Sequence, residues 1–240
     1  SLFGLLGCTK GSNKLILRTT LQSIPEVFLR ELPYPWKFKD FGFNPEQGLS
    51  KNKLEEPTDL VALHDGWLDG FISKDLQPVS SKEISQRLNS KAVDFVKAFG
   101  ADFENKILPI GVSPWVMIFR NGEPWLDQAR KSWDVLFDPK LQGQIILPNS
   151  PRFLISLVDK IGRSEQLNKL RRQVKTYDDI NALNWVVSGK ARVAVLPLQL
   201  CMSSLIRDPR LSVALPEAFD VRTAWLATPP PSLDTPILLV

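Results

Sequence analysis

The chain has 240 residues, of which 43% are hydrophobic and 23% are charged. These fractions are typical of a globular protein and exclude collagen-like, coiled-coil and wholly disordered chains. The length predicts one large domain or two small ones, and either can bury a substantial core. Lysine and arginine (30 residues) exceed aspartate and glutamate (26 residues), which gives a net charge of +4. Because this excess is spread along the chain, it does not predict a nucleic-acid-binding protein.

The residues that carry most enzyme and metal chemistry are scarce. The chain has two cysteines, Cys8 and Cys201, and one histidine, His64. A zinc site needs about four such ligands, and a nucleophilic triad would have to use the lone histidine. No glycine-rich phosphate loop, dinucleotide fingerprint or nucleophile-elbow motif occurs. The sequence therefore predicts no enzyme, no metal site and no cofactor.

The amino terminus carries the only targeting-like pattern. Residues 5–8 read Leu-Leu-Gly-Cys and are followed by a polar run over residues 9–14. This order is typical of a bacterial lipoprotein cleavage site, in which Cys8 would become the lipid-bearing first residue. The alternative is an ordinary apolar terminus with a buried cysteine. No run of about 18 apolar residues occurs, so a lipid would be the only membrane attachment.

The first part of the chain predicts a parallel α/β unit. A helix is predicted over 26–32, with Pro25 in its first turn and Ser23 or Ile24 as its cap. A second helix is predicted over 67–75. The predicted strands are 14–19, 36–41 and 59–63, with a polar loop over 42–57. Alternating strands and helices predict a parallel sheet, whose ligands bind at the carboxyl ends of the strands. Here those ends are 19–23 and 64–67.

The second part predicts another α/β unit, which begins near residue 125. Before this unit, a capping box at 80–83 predicts the start of a helix, and an apolar stripe over 92–99 predicts a second one. Residues 107–111 and 115–119 predict a pair of strands, with a turn at 120–122. The further predicted strands are 143–147, 191–196, 211–215 and 223–227. The further predicted helices are 153–161, 165–175, 178–188 and 200–206.

Four segments in this order resemble a known family. They are 15–25, 59–61 with the loop after it, 132–143 with its Ser-Trp-Asp-Val-Leu and Pro-x-x-x-Gly passages, and 188–195. Together they resemble the extracellular solute-binding proteins of bacterial ABC importers, in particular the spermidine/putrescine-binding branch. No single motif is specific, and the ordered set carries the resemblance.

The resemblance implies two α/β lobes joined by crossing hinge strands and closing on a small solute. It divides the chain into a lipobox-like terminus and tether (1–13), a first lobe with the first hinge strands (14–120), a second lobe (121–222), and a second hinge with a shortened return to the first lobe (223–240). It also implies an ABC permease as partner, no cofactor, and a periplasmic protein anchored by lipid at the inner membrane.

The resemblance also implies a ligand set. The ligand positions of the family fall on or beside these residues: Thr20, Gln22, Ser23, His64, Asp65, Trp67, Asn149, Ser150, Arg222 and Trp225. The acids that hold a polyamine are replaced, and Arg222 adds a positive charge. Burying a dication without counter-charges costs several kcal/mol per ion. Either the protein binds no polyamine, or Asp65 alone supplies the anion. A neutral or anionic solute, or no solute at all, suits the residues better.

Other roles stay open for several of these residues. Asp65 before a glycine is a good turn pair, His64 fits a loop, and Trp67 and Trp225 fit a core. The alternative function is a protein-interaction or assembly module in a photosynthetic or other organelle compartment, such as a plastid or thylakoid lumen. The replaced acids and a carboxyl-terminal part shorter than that of the family favour this alternative.

Overall fold

The computed structural model describes residues 14–19, 24–40, 58–64, 76–78, 86–162, 164–216 and 221–227. The chain forms two compact units. Unit 1 comprises Ser1–Ile110 and Ala224–Val240, and unit 2 comprises Gly111–Thr223. The chain thus passes twice between the units. Among the described residues, no helix combines the length and the apolar character needed to cross a bilayer.

The sheet of unit 1 is built around a parallel centre. Strand β1 (Leu15–Thr19) pairs in parallel with β2 (Trp36–Asp40) on one side and with β3 (Leu60–His64) on the other. Strand β9 (Val221–Ala227) pairs with β3 in the antiparallel direction. The parallel α/β sheet predicted from the sequence is confirmed. The apolar run of β3 explains its central place, because a strand covered on both faces carries apolar side chains throughout.

Helices cover both faces of this sheet. Val61 and Leu63 pack with Val96 of helix Ser90–Ala98, while Ala62 faces the other way and packs with Leu29 of helix Glu26–Arg30. The 3₁₀ helix Ala101–Phe103 follows the longer helix. The predicted cap of the shorter helix is wrong: Pro25 itself occupies the cap position, and no side chain caps the helix.

Unit 2 has a mixed sheet. Strand β7 (Val193–Pro197) pairs in parallel with β5 (Ile145–Leu147), which pairs in parallel with β6 (Val174–Tyr177). Strand β4 (Ile107–Arg120) pairs with β7 and with β8 (Leu211–Ala214) in the antiparallel direction. The helices are Leu126–Ala129, Pro151–Lys160, Leu167–Gln173, Ala182–Val187 and Leu198–Arg207, and the 3₁₀ helices are Trp133–Phe137, Pro139–Leu141 and Ser164–Gln166.

The core of unit 2 lies in two layers, one on each face of the sheet. Alternate residues of β4 point to opposite faces: Met117 and Phe119 pack against helices Pro151–Lys160 and Leu167–Gln173. Val116 and Ile118 pack against helices Ala182–Val187 and Leu198–Arg207. All four strand residues are fully buried. This covering by helices on both sides matches the continuous apolar run of residues 115–119.

Two predictions about the secondary structure of this region are wrong. Residues 107–119 form one continuous strand, β4, rather than a strand pair. Pro114 does not break it, since a proline tolerates extended backbone where its missing N–H is not needed. Strand β6 lies where the end of one helix was predicted, and the next helix begins at Ala182 rather than at 178. The alternation of partly buried and exposed residues in β6 spans only four residues, too few to outweigh the flanking helical pattern.

The thiol of Cys201 is expected to be chemically inert in the folded protein. Its side chain is fully buried, lies within hydrogen-bonding distance of the Leu198 carbonyl (3.2 Å), and has its pKa raised to about 12 by burial. In a Cys8→Ser variant, we expect a thiol-specific disulfide reagent at pH 8 to label Cys201 at least about a thousandfold more slowly in the native than in the unfolded chain. Comparable rates in the two states would contradict the burial.

Candidate functional site

The carboxyl ends of the parallel strands in unit 2 gather polar side chains. Strand β5 leads into Asn149 and Ser150, β6 into Asp178 and Asp179, and β7 into Gln199. These three strands are neighbours and run in the same direction. Their carboxyl ends therefore lie together at one edge, where ligands bind in open α/β sheets. We call these five residues the polar edge.

Asp178 organises the loop after β6. Its Oδ1 accepts hydrogen bonds from the backbone N–H groups of Ile180 (2.9 Å) and Asn181 (2.7 Å), and its Oδ2 accepts one from the indole N–H of Trp185 (3.0 Å). Partial burial raises the pKa of Asp178, but these hydrogen bonds outweigh burial, so the pKa lies below its usual value. This carboxylate is thus ionised and already occupied by donors of its own chain.

Asn149 and Ser150 connect β5 to the helix that follows it. The Asn149 N–H donates to Oδ1 of Asp179 (3.2 Å), which ties this loop to the loop after β6. The Ser150 hydroxyl oxygen accepts a hydrogen bond from the Phe153 N–H (3.2 Å) and caps helix Pro151–Lys160. Serine before a proline is a strong signal for a helix start. The side chain of Asn149 is exposed, so its amide is accessible to a polar molecule.

A buried serine supports the end of β7. The side-chain oxygen of Ser113, in β4, accepts a hydrogen bond from the Gln199 N–H (2.9 Å), and Ser113 is only 5% exposed. This bond satisfies one of the first N–H groups of helix Leu198–Arg207, which the helix itself cannot pair. Ser113 thus fixes the turn from strand to helix at the polar edge.

In unit 1, two predicted site positions fall at strand ends. His64 is the last residue of β3, is partly buried, and pairs with Ala224 of β9. Thr19, the residue before the predicted ligand Thr20, is fully buried at the end of β1. The predicted ligands Thr20, Gln22, Ser23, Asp65 and Trp67, and the predicted lipidation residue Cys8, lie outside the described residues. Arg222 lies in β9, but its side chain is outside the described part.

Trp225 is a core residue in this structure. Its side chain is 1% exposed, and its ring contacts that of Phe99 edge-to-face with centroids 4.8 Å apart. Val61, Leu63 and Ile107 belong to the same cluster. Of the two roles open to Trp225, this burial matches that of a core tryptophan. Its indole packs inside unit 1 and offers no accessible face.

The sequence analysis did not single out Asp178, Asp179, Ser113 or Gln199. The predicted helix over 178–188 conceals that a strand ends at Tyr177. The signal in the sequence for a strand followed by a turn is the pair of aspartates at 178 and 179 after an alternating segment. Within the described part of the chain, no three histidine, cysteine, aspartate or glutamate residues come together in a way that could hold a metal ion.

Comparisons with known proteins bear on the fold. No family model matches the chain, and no curated protein matches it. Solved structures do: PotD, a spermidine/putrescine ABC transporter substrate-binding protein from Streptococcus pneumoniae, superposes with a TM-score of 0.66 at 16% identity, over 90% of this chain and 72% of that one. The fold is that of the two-lobed periplasmic binding proteins.

Other solved structures also superpose on this chain. The Tp0655 lipoprotein of Treponema pallidum has a TM-score of 0.66 at 12% identity, over 90% of this chain and 75% of that one. Iron-bound HitA from Pseudomonas aeruginosa has a TM-score of 0.61 at 15% identity, over 92% and 76%. These neighbours include a spermidine/putrescine transporter protein and an iron-bound protein, and identities this low establish the fold alone.

Proposed function

We propose that this chain is the solute-binding protein of an ABC importer, and that its solute is neutral or anionic rather than a polyamine. The observation that carries the proposal is the polar edge of unit 2, in a protein with the fold of the periplasmic binding proteins. Solute-binding neighbours such as PotD support the importer role. A permease is then the partner, and the periplasm the place of action, with Cys8 as the lipid-bearing residue.

The state of the carboxylates at the polar edge supports the choice of solute. Asp178 accepts three hydrogen bonds from its own chain, and Asp179 accepts one from Asn149. A polyamine would need carboxylates that can turn to its ammonium groups, because an uncompensated buried cation costs several kcal/mol. An exposed side-chain amide such as that of Asn149 instead both donates and accepts hydrogen bonds. Such a group suits a hydroxylated, amide-bearing or anionic solute.

A thermal-shift panel tests the proposal. We expect one class among sugars, amino acids and small anions to raise the unfolding temperature by about 5–10 °C at a concentration of about 100 Kd. Spermidine and putrescine are expected to give no shift. Stabilisation by the polyamines instead would overturn the choice of solute, and no stabilisation by any member would count against the importer role.

Substitution of Asn149 localises the binding. For the stabilising solute, we expect Asn149→Ala to weaken affinity about five- to tenfold, as measured by calorimetry, because one hydrogen bond is lost. The matched control is Asn168→Ala, which removes an exposed amide from helix Leu167–Gln173. Equal loss in both variants would show that the solute does not bind at the polar edge.

A further inference from the structure

The positive charge of the protein belongs to unit 2. Residues 111–223 contain 16 lysine and arginine residues against 11 aspartate and glutamate residues, a net charge of +5. The remaining residues contain 14 against 15, a net charge of −1. The excess of basic residues, which forms no cluster in the sequence, is therefore confined to one of the two folded units.

The topology of unit 2 collects basic residues at the end of the sheet opposite the polar edge. Strand β4 ends where β7 and β8 begin, since Phe119 pairs with Val193 and Arg120 pairs with Leu211. Strand β5 begins at the same end, because Ile145 also pairs with Val193. Strand β6 begins at this end too, because Val174 pairs with Ile145, and helix Leu198–Arg207, which follows β7, ends here. The exposed basic residues near these strand and helix ends form what we call the basic rim: Arg120, Lys175, Lys190, Arg192, Arg207 and Arg210.

Two ion pairs lie at the basic rim, and the arginine is the outer partner in each. Arg192 Nη1 lies 2.9 Å from Glu123 Oε1, with the arginine side chain 52% exposed and that of the glutamate 8%. Arg210 Nη2 lies 2.7 Å from Asp208 Oδ2, with exposures of 62% and 22%. In both pairs the carboxylate is the more buried partner. Solvent and binding partners therefore meet the guanidinium groups first.

In the second pair, the Asp208 carboxylate keeps its charge and holds the Arg210 guanidinium in place. Hydrogen bonds from Arg210 lower the pKa of Asp208 to about 2. One further exposed acid follows β4: Asp127, which pairs with Arg130 (3.1 Å) and so forms a neutral pair. The two rim ion pairs are likewise neutral in sum, so Arg120, Lys175, Lys190 and Arg207 carry the net positive charge of the rim. Helix Pro151–Lys160 ends at the same side of unit 2, where its exposed Asp159 stands next to the exposed Lys160.

Bulky apolar side chains accompany this charge. Ile206 is 77% exposed and Met202 is 45% exposed, one turn apart on helix Leu198–Arg207, whose last residue belongs to the basic rim. Nucleic acids offer phosphates but stack on aromatic side chains, whereas these side chains are aliphatic. A membrane surface offers both anionic headgroups and an apolar layer a few ångströms deeper.

We propose that the basic rim of unit 2 binds the surface of an anionic phospholipid bilayer, with Ile206 entering the headgroup layer. Each basic side chain held near such a surface strengthens binding about fivefold. Binding would rest unit 2 on the membrane by its rim and leave the polar edge at the opposite end of its sheet. The proposal requires neither a solute nor an acyl chain, and so it stands apart from the proposed function.

Vesicle co-sedimentation tests this surface directly. The probe is phosphatidylcholine vesicles with about 30% phosphatidylglycerol, and the protein is the full chain carrying Cys8→Ser, so that no acyl chain contributes. We expect binding to these vesicles at low salt, none to pure phosphatidylcholine, and release by about 0.5 M salt. The rim variant Arg120→Gln/Lys190→Gln/Arg207→Gln is expected to bind about 100-fold more weakly.

A charge-matched control separates the rim from net charge. Lys37→Gln/Lys91→Gln/Lys97→Gln removes the same charge from exposed positions of unit 1 and is expected to bind as the unaltered chain does. Ile206→Ser alone is expected to weaken binding about tenfold. Equal weakening of both triple variants would overturn the proposal, as would binding of polyglutamate but not of vesicles, which would indicate an acidic protein partner. The single change Arg207→Gln, expected to cost about fivefold, serves if the triple variant does not fold.

Discussion

Replacing Trp225 by alanine is expected to lower the free energy of unfolding by about 3–5 kcal/mol. The indole is 1% exposed and packs edge-to-face on Phe99 within the cluster that holds Val61 and Leu63. Its removal leaves a cavity between a strand and a helix of unit 1, which the neighbouring side chains fill only in part. Urea denaturation followed by circular dichroism measures the loss.

The control for this change is an aromatic residue on the surface. Phe28 is 64% exposed, and Phe28→Ala is expected to change stability by less than about 0.5 kcal/mol. A second variant, Trp225→Phe, retains much of the packing and is expected to leave solute affinity unaltered. A large loss of affinity in Trp225→Phe at nearly full stability would show that the indole is a ligand contact after all.

Asp178→Ala is expected to destabilise the protein by about 1.5–3 kcal/mol. The carboxylate is the shared acceptor for two backbone N–H groups and the Trp185 indole N–H. Its loss leaves the part-buried indole N–H without this acceptor and releases the turn into helix Ala182–Val187. Asp94→Ala, an exposed aspartate of helix Ser90–Ala98, is expected to change stability by less than about 0.5 kcal/mol.

The effect of Asp178 depends on pH in a defined direction. The pKa of Asp178 in the folded protein lies below its ordinary value, because its hydrogen bonds outweigh the effect of burial. A lowered pKa means that the ionised carboxylate stabilises the fold above about pH 4, and that this contribution is lost as the pH falls through the folded pKa. The stability difference between the unaltered protein and Asp178→Ala is therefore expected to be constant from about pH 5 to 8 and to shrink towards pH 3. A difference that grew in acid would contradict the assignment.

The strands of unit 1 were predictable because their signals are local. The apolar runs at 15–19 and 60–63 are bounded by polar or turn residues, and Pro25 marks the start of a helix between two of the strands. The same holds for β5, Ser150 and the helix after it, where a serine cap and a proline stand next to each other. Each of these patterns reports on its own few residues and needs no knowledge of distant partners.

Other features depend on contacts that sequence order does not display. Nothing local distinguishes one long β4 from two short strands, and the second half of β4 is fixed by pairing with β7 and β8 far along the chain. The sequence around Trp225 is compatible with either a cleft residue or a core residue, and only its contact with Phe99 distinguishes the two. The basic rim is the clearest case: Arg120, Lys175 and Arg207 are distant in sequence, and only the strand order brings them to one end of the sheet.

Native mass spectrometry of the protein, purified without denaturation from the cells that make it, tests the solute-binding claim most directly. The account predicts one small neutral or anionic molecule per chain, lost after unfolding in urea and refolding, and retained poorly by Asn149→Ala. A chain of bare mass that instead copurifies in a fixed ratio with another protein would contradict the account and favour an assembly module.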